Sequence, residues 1–66
     1  MEDEFIQRLL EEIDDVKDRL TKQTALVERS AGDVLVEEQA TLRNLVMRLQ
    51  GLELMLRKTK EQVHGG

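Results

Sequence analysis

The carboxylate pairs Glu11–Glu12 and Asp14–Asp15 are the closest this 66-residue chain comes to a chemical motif. Paired acids can exchange protons with a substrate or hold a divalent cation, but general acid–base work needs a perturbed carboxyl in a concave site. On a two-helix hairpin, the fold read below, these positions point mostly outward, so solvated helix surface is expected. Ser30, Thr21, Thr24 and Thr41 have no histidine or lysine base at a spacing that implies a nucleophile. Neither a phosphate-binding glycine loop nor a calcium loop is present. Cysteine is absent and His64 is the single histidine, which removes disulfides, thiolate metal sites and a histidine metal cluster together. No catalytic, cofactor-binding or metal-ligating residue is therefore assigned, no cofactor or small-molecule substrate is expected, and the chain reads as non-enzymatic.

The elements that would carry any function are helices. Charged residues make up 36%, hydrophobic residues 39%, proline is absent and Phe5 is the one aromatic, a composition of helical, coiled-coil-like chains. A chain this short buries a small core and usually needs a staple; without cysteine or metal ligands, oligomerisation or a partner protein remains. No apolar run approaches the 18 or so residues of a membrane span, and Glu2, Asp3 and Glu4 are unlike a secretory signal. These features and the lack of cysteine point to the cytoplasm and to no membrane partner.

Two heptad stripes run through the sequence. The first is Ile6, Leu9, Ile13, Val16, Leu20, Gln23 and Val27; the second is Leu35, Glu38, Leu42, Leu45, Leu49, Leu52 and Leu56. Folding the chain back at 30–33 pairs Val27 with Leu35, Leu20 with Leu42, Val16 with Leu45, Ile13 with Leu49, Leu9 with Leu52 and Ile6 with Leu56. The residue numbers of each pair total 61 or 62, so the layers close without slippage. The pattern predicts an all-α fold, an antiparallel two-helix hairpin completed to a four-helix bundle by dimerisation or by a partner. The 66 residues form one domain: helix 1 over about 3–29, a turn at 30–33, helix 2 over about 34–62 and a frayed tail at 63–66. Gly32 can take the left-handed conformation that ends a helix, and Asp33 can cap the amides that open the next. Alternatively Ser30 and Asp33 form a capping box that starts helix 2 three residues earlier. Glu4–Arg8, Asp15–Arg19 and Asp18–Lys22 are i,i+4 pairs in the favourable order. Arg57, Lys58 and Lys60 are expected beside Glu2, Asp3 and Glu4. Gln23 faces Glu38 or Gln39 near the turn, as a buried layer that fixes register or as a wet one.

Helix 2 carries more apolar surface than helix 1 can cover. Val36, Ala40, Val46, Met47, Gly51, Leu54 and Met55 lie outside its seam and are assigned as the partner or oligomer interface. On helix 1, Phe5, Leu10 and Leu26 add smaller surpluses. The expected activity is protein–protein interaction, as an oligomerisation, adaptor or small co-chaperone module whose partner is a second copy, another helical protein, or both. Gly51 either admits a neighbouring backbone at this face or is a tolerated surface glycine.

The alternative is a small dimeric helical-hairpin regulator that binds nucleic acid, with Arg43, Arg48 and Arg57 aligned on helix 2. The net charge of −4 and the near absence of aromatics for base stacking weigh against it, so no nucleic acid is expected.

The run Ile6-Gln7-Arg8-Leu9-Leu10-Glu11-Glu12-Ile13-Asp14-Asp15-Val16, with Leu42-Arg43-Asn44-Leu45-Val46-Met47-Arg48-Leu49, resembles the first two helices of a BAG domain, a co-chaperone family. The third helix of that family has no counterpart here. The length and the Gly32-Asp33 turn also resemble, in layout alone, the two-helix co-chaperones of type III secretion needle subunits. Both resemblances imply a hairpin that holds another helical protein.

Overall fold

A computed structural model describes residues 2–65, with side chains over 4–62. Two helices make up the fold, α1 over Glu2–Arg29 and α2 over Gly32–Gly65, and they pack against each other as a hairpin. At 1.5 Å per residue the 34 residues of α2 span about 51 Å. The longest dimension of the molecule is also 51 Å, against 15 and 11 Å for the others. Thus α2 is one straight rod running the whole length, and the hairpin is a single layer of two helices.

Every residue of the two expected stripes is buried or half-buried. Leu9, Ile13 and Val16 form the fully buried core, with Val16 only 2% exposed. The periodicity explains this: apolar groups three and four apart stay on one side of a helix, and the facing helix removes that side from water. Gln23 is buried too, and its amide donates to the Glu38 carbonyl at 2.9 Å and to the Glu38 carboxylate. The polar layer near the turn is therefore closed rather than wet, and Glu38, not Gln39, receives it. This bond joins residues whose numbers total 61, within the register that the stripes predict.

The turn is tighter than expected. α1 ends at Arg29, the Ser30 amide donates to the Val27 carbonyl at 3.2 Å, and the Leu35 amide already donates to the Ala31 carbonyl at 3.4 Å. Only Ser30 and Ala31 lie between the helices, and α2 opens at Gly32, two residues before Val34. Gly32 sits at φ +62°, the left-handed region that reverses the chain direction and that a Cβ disfavours. The Ser30 hydroxyl donates back to the Leu26 carbonyl at 2.6 Å, so it closes α1 rather than capping α2. Asp33 lies in the first turn of α2, where its charge suits the positive end of the helix dipole.

At the other end, helical backbone continues to Gly65, three residues past the expected end at 62. The side chains of 63–66, where fraying is expected, and those of Glu2 and Asp3, expected beside Arg57, Lys58 and Lys60, lie outside the described residues.

Candidate functional site

The seven assigned interface residues are all exposed, from Val46 at 38% to Met47 at 63% and Val36 at 65% among the large ones. Helix geometry divides them. Ala40, Met47 and Leu54 repeat every seven residues, with Val36 and Gly51 on adjacent rows, and together they run down the back of α2 opposite its seam. Val46 and Met55 instead flank the seam on its two sides. A Cβ added at Gly51 meets nothing within 4 Å, so the back of α2 is open at its centre. Water bears on a methionine, a leucine and a valine there, an unfavourable arrangement at roughly 25 cal/mol per Å² of apolar surface.

One flank is identified by an ion pair. Arg48 of α2 donates to the Glu12 carboxylate of α1 at 2.5 Å, across the hairpin. Both side chains are about half exposed, which limits such a pair to ~1 kcal/mol or less. Sequence reading noticed Glu12 and Arg48 separately, as a carboxylate and as part of an arginine row, but not their pairing. Their numbers total 60, one short of the seam register, which sets them level along the hairpin; that the two side chains meet is decided by the packing of the helices. The contact also breaks up the expected arginine row. Arg43 and Arg57 share the row of Val36, whereas Arg48 lies on the flank and is engaged by Glu12.

The groups considered for chemistry are otherwise occupied or dispersed. Thr21, Thr24 and Thr41 donate to the carbonyls four residues earlier, at 3.1, 2.8 and 3.2 Å, as Ser30 does. Asp15 pairs with Arg19 at 3.1 Å and Asp18 with Lys22 at 3.0 Å. Among the described residues no three His, Cys, Asp or Glu side chains gather as metal ligands. A shallow dent on α1 is lined by Ile6, Gln7, Leu10, Glu11 and Asp14; it is an open groove beside one helix. Among the described residues no helix is long and apolar enough to cross a membrane.

Comparison with known proteins adds no assignment: no protein-family model, no curated protein and no solved structure matches this chain. Among the described residues the arrangement offers an apolar surface on a helix that packs against one neighbour.

Proposed function

We propose that this protein is a non-enzymatic association module, acting as an oligomerisation, adaptor or small co-chaperone unit. The hairpin presents Val36, Ala40, Val46, Met47, Gly51, Leu54 and Met55 to another helical protein, and that partner or a second copy completes a four-helix bundle. The observation that carries this reading is the exposure of Met47 and Val36, nearly two-thirds each, on a helix whose opposite face is already occupied by α1. A helix with apolar residues on both sides is normally a buried helix, and α2 has only one neighbour. Methionine suits a surface that adapts to its partner. A nucleic-acid role draws less support, because Arg48 is bonded to Glu12 and the net charge of −4 opposes phosphate.

The test is a double substitution, Met47→Asp with Leu54→Asp, followed by a pull-down from the native host and a measurement of solution mass. The variant is expected to lose the bound helical protein while keeping its helix content, since neither residue lies in the seam. A variant that retains both its partner and the wild-type mass would falsify the assignment of this face.

A further inference from the structure

The two flanks of the hairpin differ in their apolar content. Residues seven and fourteen positions from Glu12 and Arg48 share their flank, because seven residues return a helix nearly to its starting angle. That flank therefore carries Phe5, Glu12, Arg19 and Leu26 from α1 with Met55, Arg48, Thr41 and Val34 from α2. Its four apolar members are between 43% and 55% exposed. By the register that Glu12 and Arg48 set, Phe5 stands level with Met55 at the open end, and Leu26 level with Val34 at the turn. The ion pair lies between them. On the opposite flank Leu10 stands level with Glu53 and Val46 with Lys17, so no apolar pair forms.

We propose that a second copy of this chain packs on the Glu12–Arg48 flank, related by a two-fold axis along the hairpin, with both turns at the same end. The inference rests on the association reading above, and it gives the self-contact a surface separate from the back of α2. An isologous contact must be complementary to itself. Here Phe5 and Met55 of both copies make one apolar layer, Leu26 and Val34 of both make another, and Glu12 and Arg48 alternate in a ring of four charges between them. Each α1 then lies against the α2 of the other copy. Residues 1–33 carry ten acids and five bases, net −5, whereas 34–66 carry four acids and five bases, net +1. Turning the second copy end for end would set the two acidic helices side by side, so charge favours turns at the same end. The contact also covers Leu45 and Leu52, half-buried seam residues nearest this flank. Packing a second copy through the back of α2 would leave those leucines open.

Light scattering on the full chain over a range of concentrations tests this, with circular dichroism as the check on folding. Wild type is expected at twice the 7.6 kDa chain mass. Phe5→Glu with Met55→Glu is expected to weaken the dimer about 100-fold or more, because four like charges enter one layer. Leu26→Glu with Val34→Glu repeats the test at the turn should the first pair lose helix. Met47→Asp with Leu54→Asp is expected to remain dimeric. If instead the back-face variant is monomeric and the flank variants stay dimeric, the flank is wrong and the association reading survives. A wild-type chain that stays monomeric at every concentration overturns the self-contact, while binding of another protein by Met47 and Leu54 still decides the broader reading. Orientation has its own readout: with no native cysteine, Ala31→Cys supplies one thiol per chain. Turns at the same end predict a disulfide-linked dimer on mild oxidation, and a dimer that stays unlinked overturns the orientation.

Discussion

In α1, Leu9, Ile13 and Val16 are at most 5% exposed, and the large apolar residues left over, Phe5, Leu10 and Leu26, flank the seam. In α2 none of the six seam leucines is fully buried, and Val36, Met47 and Leu54 stand exposed on its far side. The two helices face each other across one seam, so the difference lies in their outer surfaces. The back of α1 is charged: Arg8, Glu11, Asp15, Asp18 and Lys22 occupy it, and Asp15–Arg19 and Asp18–Lys22 close as surface ion pairs. Water satisfies such a surface. The back of α2 offers water a methionine and two branched apolar side chains instead. The hairpin leaves the back of its first helix polar and that of its second apolar, so association is read from the back of α2 and from the flank that both helices share.

The contrast is open to attack at several points. The largest effect is expected in the α1 core, where Ile13→Ala removes a fully buried side chain and costs about 2–5 kcal/mol. The half-buried Leu49 on α2 is expected to cost less when changed to alanine. Urea titration of both variants checks the ordering, and equal losses would mean that the two sides of the seam are equivalent. Gly32→Ala comes next, since left-handed backbone with a Cβ costs about 1–2 kcal/mol and no neighbouring atom complicates the change. A thermal melt of that variant should fall, and one unchanged from wild type would remove the positive φ from the account of the turn.

Replacing Gln23 and its partner separates stability from uniqueness. Gln23→Leu with Glu38→Leu exchanges both hydrogen-bonding partners for apolar burial, so the variant is expected to be as stable or up to ~1 kcal/mol more stable, while slipped registers become accessible. Doubled amide resonances would report the slippage, and a single sharp set would relieve the pair of any role in register. The smallest expected effect has the opposite sign. Gly51→Ala should stabilise the isolated chain by about 0.5–1 kcal/mol, because a mid-helix glycine is unfavourable and its Cβ would enter open space. If the same change weakens partner binding, a neighbouring backbone approaches α2 at that point; unaltered binding leaves Gly51 as a surface glycine.

Much of this is legible in the amino-acid sequence. The fourteen stripe residues carry their own periodicity, and Gly32 was the one glycine placed to reverse the chain. The back of α2 followed from the same counting, since a face left over from a heptad seam is visible as soon as the seam is known. The turn was harder. Ser30 was open to a capping box that starts α2, but its hydroxyl bonds to the Leu26 carbonyl and closes α1, because a serine hydroxyl near a helix end can donate backwards or accept forwards at similar cost.

Local periodicity by itself determined that the chain forms two rods, which side of each turns inward and where the reversal falls, because these depend on residues three, four and seven apart. Only the tertiary structure decided that Gln23 reaches Glu38, that Glu12 meets Arg48, and that burial is deep on α1 but shallow on α2. Those outcomes join groups 15 and 36 residues apart in sequence. They depend on the distance and rotation between two helices, which no pattern within either helix can specify.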